Sequence, residues 1–198
     1  MGKTIIFDVS GVITEDDLPS QIMKLARDYS LDFNRALEAV DLMNYADAVV
    51  GKKTSRQMYE TTMDRLRIDM DFGEFISRFL GGYALKQDML DLVRNLNEHR
   101  LFVLSNQTPI NSEYLHGVLD PLFERVFFSN EIGFRKPDPK SFQKLLDETG
   151  LRAEECIFID DNLDNIKAAW ALGFKVILFR GRESLVRDLQ SMGISIRK

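Results

Sequence analysis

The feature that most constrains the fold is a set of five short apolar runs that recur along the chain. They cover residues 4–8, 101–105, 125–129, 156–160 and 175–179. Each run is apolar almost throughout rather than alternating with polar residues, which is typical of strands buried on both faces of a parallel sheet. We therefore expect five parallel strands covered by helices.

Helical signals lie between these runs. Asp138 places a capping residue before Pro139 at the first helical position, and Gly150 suits the left-handed end of a helix. This pattern predicts a helix over residues 139–149. Comparable helical signals occur over residues 163–172 and 89–96. Strands that alternate with helices imply right-handed crossovers, so the predicted fold class is α/β with a doubly wound parallel sheet.

The composition excludes several other classes of protein. The chain has 198 residues, a formal net charge of −5 and a single cysteine, so no internal disulfide can form. No apolar run approaches the ~18 residues of a membrane span, and Asp8 interrupts the segment where a signal peptide would be apolar. We expect a cytoplasmic protein without a membrane partner. Its mild acidity argues against nucleic acid as the main partner.

Residues 15–84 break the alternation of strand and helix. Apolar residues in this segment follow helical spacing, first at Ile22, Leu25, Ala26 and Tyr29, and then at Met58, Thr62 and Leu66. Thr54 and Gln57 have the spacing of a capping box. We expect an inserted helical lobe with Gly81-Gly82 as its hinge, the alternative being helices that pack on one face of the sheet.

Polar residues that follow the predicted strands are the candidates for chemistry, because an open parallel sheet binds ligands at the carboxyl ends of its strands. Carboxylates gathered there repel one another unless a cation neutralises them, and Mg²⁺ prefers carboxylate oxygen. The set predicts phosphoryl transfer on Mg²⁺, with a carboxylate nucleophile and a lysine that offsets the phosphoryl charge. The candidates are Asp8, Ser10, Ser105, Asn106, Lys136, Asp160 and Asp161.

Most of these candidates also have simpler interpretations. Asp8 alone could cap a helix, and Ser105-Asn106 alone could form a turn. Lys136 lies in a Pro-rich stretch that would serve as a turn before the next helix. Asp160 and Asp161 are the stronger signal, because two adjacent acids after a buried strand repel strongly without a cation.

Four motifs, in order along the chain, resemble those of the haloacid-dehalogenase-like hydrolase superfamily. They are residues 7–13 (FDVSGVI), 104–106 (LSN), 131–139 (EIGFRKPDP) and 158–169 (FIDDNLDNIKAA). The fourth motif looks most like those of the sugar-phosphate phosphatase and epoxide-hydrolase amino-terminal-domain branches. The resemblance implies a Rossmann-like catalytic core of residues 1–14 and 85–198, with an α-helical cap inserted at residues 15–84.

The resemblance also implies a metal site. By position, Asp8 would be both the nucleophile and a metal ligand, and the backbone carbonyl of Ser10 would be a second ligand. Asp161 would be the main acidic ligand of the fourth motif, with Asp160 beside it.

By position, the resemblance also assigns contacts to the phosphate to Ser105, Asn106 and Lys136.

One position departs from the family pattern. Most phosphatases of the superfamily have a second aspartate, acting as general acid and base, at the position that Ser10 occupies here. A serine hydroxyl is too weak an acid to replace it near neutral pH, so the acid would have to come from elsewhere, with Glu15, Asp16 and Asp17 as candidates.

The sequence therefore predicts a Mg²⁺-dependent phosphatase of a small phosphorylated metabolite, with sugar phosphates as a substrate class, acting through an aspartyl-phosphate. Two alternatives stay open at this point. Ser10 is compatible with a catalytically weakened protein that binds a phosphorylated ligand or partner. A haloacid dehalogenase also lacks the second aspartate, although Asp160 and Asp161 favour a metal-dependent site.

Overall fold

A computed structural model describes residues 2–15, 45–81 and 83–196, together with Met23, Ala26, Arg27, Asn34 and Glu38. Five strands form one parallel sheet in the order β3-β2-β1-β4-β5, which confirms the predicted α/β fold. The strands are β1 (Thr4–Phe7), β2 (Arg100–Ser105), β3 (Arg125–Phe128), β4 (Cys156–Asp160) and β5 (Lys175–Leu178).

Helices occupy the connections between the strands. They are α1 (Tyr45–Ala48), α2 (Ser55–Leu66), α3 (Phe72–Leu80), α4 (Gln87–Arg94), α5 (Pro109–Leu119), α6 (Ser129–Ile132), α7 (Pro139–Thr149), α8 (Leu163–Ala171) and α9 (Arg182–Ser191). Helix α7 has the predicted bounds, because Asp138 caps its first turn and Gly150 ends it with φ at +68°. Helix α4 ends at Arg94, earlier than predicted, since residues 95–98 form turns.

The two faces of the sheet pack against separate apolar layers. Ile5, Phe7 and Val103 contribute to one layer, which continues into helices α4 and α9. Ile6 and Phe158 contribute to the other, where helices α7 and α8 cover the sheet. Burial on both faces explains why the strands are apolar throughout rather than alternating.

The strand order reverses direction between β1 and β4. The chain first builds β1, β2 and β3 toward one edge, and then adds β4 and β5 on the other side of β1. The crevice at such a reversal is where open α/β sheets bind ligands. In this chain, the position lies between the ends of β1 and β4.

The segment predicted as an inserted lobe has its own apolar cluster. Met58, Met70, Phe75 and Phe79 are buried together, and Ile110 of helix α5 joins them. Thr54 and Gln57 form the predicted capping box at the start of helix α2. Ile22, Leu25, Tyr29 and Gly82 lie outside the described residues, and the domain boundaries at 14/15 and 84/85 stay a prediction.

Two short stretches pair where this segment leaves and rejoins the sheet. Thr14 and Leu85 form an antiparallel bridge. The Glu15 amide donates to the Ala84 carbonyl at 2.9 Å, and the Lys86 amide donates to the Ile13 carbonyl at 2.8 Å. The outgoing and returning chains therefore run side by side.

Among the residues that the structure describes, no helix combines the length and apolarity that crossing a bilayer requires.

Candidate active site

The sheet brings together the polar residues that follow β1, β2 and β4. Phe7 pairs with Ile159 across β1 and β4, so Asp8 and Asp160 are neighbours one residue further along. The Asp8 amide continues the ladder by donating to the Ile159 carbonyl at 2.9 Å. Both carboxylates are buried, with Asp8 6% and Asp160 0% exposed. The crevice at the reversal of strand order is therefore acidic.

Three donors converge on one oxygen of Asp8. The Ser105 hydroxyl donates to Oδ1 at 2.7 Å, and the Lys136 ammonium lies 2.9 Å from the same atom. The Val9 amide donates to it at 2.7 Å. Among the described residues, no hydrogen bond involves the second oxygen, Oδ2, so this oxygen is the one able to act on a ligand.

Lys136 lies between two carboxylates. Its Nζ is 2.9 Å from Asp8 Oδ1 and 2.6 Å from Asp160 Oδ2, and the side chain is almost fully buried. Asn106 fixes the backbone there, since its amide donates to the Lys136 carbonyl and accepts from the Lys136 amide, both at 2.8 Å. Asn106 thus positions the lysine loop, and its predicted contact with phosphate stays a prediction.

The charges in this crevice shift the pKa values of their neighbours. Burial, opposed by the charge of Lys136 and reinforced by that of Asp160, raises the pKa of Asp8 to about 7. Burial alone would lower the pKa of Lys136, but the charges of Asp8 and Asp160 outweigh it and raise that pKa. One buried ammonium therefore faces an excess of buried carboxylate.

Asp160 is held in place by several donors besides Lys136. Asn165 Nδ2 lies 3.1 Å from one of its oxygens and 3.0 Å from the other, and the Asn162 amide donates to Oδ1 at 2.8 Å. Asn162 also caps helix α8 and so fixes the turn between strand and helix. Asp160 is consequently rigid and largely occupied.

Asp161 is more exposed and lies against the loop after β1. Burial and the charge of Asp160 raise the pKa of its carboxyl group. Gly11, with φ at +76°, lets the backbone approach this side chain so closely that an added Cβ would be 2.0 Å from Asp161 Oδ2. Glycine at this position therefore makes room for the carboxylate.

These three aspartates fit a divalent cation. Asp8, Asp160 and Asp161 each offer one carboxylate oxygen, and the three oxygens lie within 4.8 Å of one another. Hard oxygen ligands of this kind suit Mg²⁺. Burial and the charge of Asp160 raise the pKa of both Asp8 and Asp161, and a bound cation would favour the ionised form of each carboxylate.

Sequence reasoning missed three residues of this site. Gln107 Nε2 donates to the hydroxyls of Ser10 at 3.1 Å and Ser105 at 3.0 Å. Tyr83 donates to Gln107 Oε1 at 3.3 Å. Lys86 Nζ donates to the Gly11 carbonyl at 2.6 Å. The position of Gln107 directly after Ser105-Asn106 was the available signal for the first of them.

The other predicted candidates are placed as follows. Ser10 lies at the rim, half-buried, with its hydroxyl held by Gln107. Glu15, one candidate for the general acid, is exposed. Asp16 and Asp17 lie outside the described residues.

Comparison with known proteins identifies the family. Residues 3–173 match the family model described as haloacid dehalogenase-like hydrolase. The chain belongs to this family. The match spans strands β1 to β4 and the segment between β1 and β2, and it confirms the resemblance seen in the four motifs.

The relatives of this chain match different shares of its length. D-ribitol-5-phosphate phosphatase from Bacteroides thetaiotaomicron is 22% identical and covers 88% of this chain and 90% of its own. Drimenol cyclase from Aspergillus calidoustus is 31% identical over 65% of this chain, which spans only 22% of that protein. The chain likewise spans 36% of a phosphatase from Mycobacterium tuberculosis and 13% of bifunctional epoxide hydrolase 2 from Sus scrofa.

A solved structure shows the same fold. It is a HAD family enzyme from Bacteroides thetaiotaomicron in complex with magnesium and inorganic phosphate. The TM-score is 0.78 at 20% identity, with 89% of this chain and 93% of that chain covered. At this level of identity the likeness establishes the fold that the two proteins share.

Proposed function

We propose that this hydrolase is a Mg²⁺-dependent phosphatase of a small phosphorylated metabolite, with sugar phosphates as the substrate class. The observation that carries the proposal is the convergence of Asp8, Asp160 and Asp161 around the buried ammonium of Lys136. Family membership and the phosphatases among its relatives support this choice of reaction. A cytoplasmic location and the absence of nucleic-acid and membrane partners stay predictions.

The residues around Asp8 would have separate roles in phosphoryl transfer. Asp8 would attack phosphorus through Oδ2, because Oδ1 is occupied by Ser105, Lys136 and Val9. An aspartyl-phosphate would form as the leaving group departs, and water would then release inorganic phosphate. Lys136 and Ser105 already contact the nucleophile, so they are placed to hold phosphoryl oxygens and offset their charge.

Asp8, Asp161 and the Ser10 carbonyl would hold the cation, with Asp160 beside them. When bound, Mg²⁺ neutralises carboxylate and phosphoryl charge as a Lewis acid. We assign the direct contact to Asp161 because it is more exposed, whereas Asp160 is fully buried and already receives bonds from Lys136, Asn162 and Asn165.

The direct test is hydrolysis of a panel of phosphorylated metabolites with and without Mg²⁺. We expect release of phosphate that depends on the metal and is abolished in Asp8→Asn, because an amide is a poor nucleophile. A circular dichroism spectrum identical to that of the wild type controls for folding. Turnover by a folded Asp8→Asn protein near the wild-type rate would refute the covalent mechanism.

A second measurement tests the metal ligands. Asp161→Ala should weaken Mg²⁺ binding more than Asp160→Ala, with both followed by calorimetric titration of Mg²⁺ in the absence of substrate. The reverse order of affinities would exchange the two roles. Halide release from haloacids, independent of metal, would instead identify a dehalogenase.

A catalytically weakened protein that binds phosphorylated ligands is the second candidate, and the surroundings of Ser10 favour it. The hydroxyl of Ser10 is held by the neutral amide of Gln107. General acid and base assistance is worth about 10²–10⁴-fold, so substrates whose leaving group needs a proton should react slowly. Ser10→Asp should raise hydrolysis of an alkyl phosphate far more than that of an aryl phosphate. Equal gains on both substrates would show that another residue supplies the proton.

A further inference from the structure

Gln107 joins the two hydroxyls of the site to the segment that enters helix α4. The residue is 2% exposed and lies two positions after the end of β2. Its Nε2 lies 3.0 Å from Ser105 Oγ and 3.1 Å from Ser10 Oγ, while Oε1 lies 3.3 Å from the Tyr83 hydroxyl. The backbone amide of Gln107 donates to Ser129 at 3.0 Å, which fixes the residue from a second side.

The carboxylate of Asp8 determines which group donates and which accepts in each of these hydrogen bonds. Asp8 Oδ1 also receives the Lys136 ammonium and the Val9 amide, so it acts as an acceptor. Ser105 must therefore give its single hydroxyl hydrogen to Asp8, at 2.7 Å. Ser105 then has only lone pairs to offer Gln107, and the amide nitrogen has to face it.

This orientation of the Gln107 amide also fixes its hydrogen bonds with Tyr83 and Ser10. With Nε2 toward Ser105, the Oε1 atom faces Tyr83, which donates to it. The second hydrogen of Nε2 goes to Ser10 Oγ. Ser10 thus accepts from Gln107 and keeps its own hydrogen, which is directed either toward the Tyr83 hydroxyl or toward an oxygen atom of a bound substrate.

We propose that Gln107, oriented by Tyr83, is a positioning residue that sets the proton direction of both serine hydroxyls in the site. It commits Ser105 to donate to the nucleophile Asp8, and it makes Ser10 a hydrogen-bond donor rather than a base. The catalytic part of this assignment rests on the proposed phosphatase function. The Tyr83 hydroxyl has one hydrogen to donate, and Gln107 Oε1 is an acceptor 3.3 Å away.

Two replacements of similar length separate orientation from packing. Gln107→Met keeps the length of the side chain but removes its polar atoms. We expect kcat to fall about tenfold with KM little changed, the size expected from the loss of the hydrogen bond that orients Ser105. Gln107→Glu keeps the shape but offers acceptors, which draw the Ser105 hydrogen away from Asp8, so kcat should fall further than in Gln107→Met.

Tyr83→Phe provides an independent variant that keeps the aromatic ring. We expect kcat to fall about threefold, and no further loss when Tyr83→Phe is added to Gln107→Met, because Tyr83 acts through the amide. Gln143→Met, which removes an exposed glutamine bonded to Asp147 on helix α7, serves as the control. Additive losses in the double variant, or equal kcat in the Met and Glu variants, would overturn the proposal.

A measurement made without substrate tests this proposal independently of the proposed phosphatase function. In the wild type, NMR should show both side-chain amide hydrogens of Gln107 protected from exchange, and Tyr83→Phe should reduce that protection. Free exchange in the wild type would overturn the proposal. If the wild type hydrolyses no phosphate ester, the phosphatase function fails, and the exchange experiment alone then decides the assignment of hydrogen-bond direction.

Discussion

Gly11 offers a way to move one carboxylate of the candidate metal site without altering its chemistry. In Gly11→Ala, the new Cβ would lie 2.0 Å from Asp161 Oδ2, whereas ordinary van der Waals contact begins at 3.4 Å. The carboxylate must therefore retreat by about 1.4 Å, the difference between these distances. Mg²⁺ demands oxygen ligands at about 2.0–2.1 Å in near-octahedral geometry, so a shift of this size removes the ligand.

The same substitution has a second effect that must be separated from the first. Gly11 has φ at +76°, a conformation that costs a residue with a Cβ roughly 1–2 kcal/mol. Gly150→Ala is the matched control, since its φ is +68° and no atom lies within 4 Å of its added Cβ. Urea unfolding should show a similar loss of stability in both variants.

The metal affinity should distinguish them. We expect Gly11→Ala to bind Mg²⁺ about 10–100-fold more weakly than the wild type, with activity partly restored at high Mg²⁺. Gly150→Ala should keep the wild-type affinity and turnover. Calorimetric titration with Mg²⁺ and phosphate release at several Mg²⁺ concentrations provide the measurements. Equal Mg²⁺ affinity in the two variants would refute the inference that Asp161 contacts the cation.

Two further predictions concern the lysine loop and a surface histidine. Lys136→Ala should lower kcat by about 10²–10³-fold, since it removes a buried charge at the nucleophile, whereas Arg135→Ala, at an exposed position, should change it little, as measured by phosphate release. Burial alone would lower the pKa of His116, but hydrogen bonds to Asp120 and Glu131 outweigh it and raise that pKa above 6.5. His116 should therefore stabilise the fold below about pH 6.5 and lose this effect as pH rises through its folded pKa. The free energy of unfolding in urea should therefore differ less between about pH 6 and about pH 8 in His116→Asn than in the wild type.

The sheet was predictable from local sequence because burial on both faces leaves a clear pattern. The run from Cys156 to Asp160 is buried at every position, so its apolar composition directly reports the structure. The same logic located Asp8 and Asp160 at the carboxyl ends of strands. The signals at Asp138 and Gly150 were equally local, which is why helix α7 has the predicted bounds.

The polar network was not predictable in the same way. Gln107 and Ser10 are 97 residues apart in sequence, and their hydrogen bond exists only because β1 and β2 are neighbours in the sheet. Asn165 supports Asp160 from the first turn of helix α8, a contact that depends on how the helix sits over the strand. A glutamine or asparagine carries no periodic pattern, so its role emerges only once the strands are paired.

The pairing of residues 13–15 with residues 84–86 has a consequence for how such a chain can diversify. Antiparallel partners lie only about 5 Å apart, so the segment between Glu15 and Ala84 begins and ends at almost the same point. The entropy cost of closing a flexible loop rises by only about 0.6 kcal/mol for each doubling of its length. The stability of the sheet thus depends little on the length of the segment inserted at this junction. An insert of another size or origin could replace this segment while the acidic crevice stays intact.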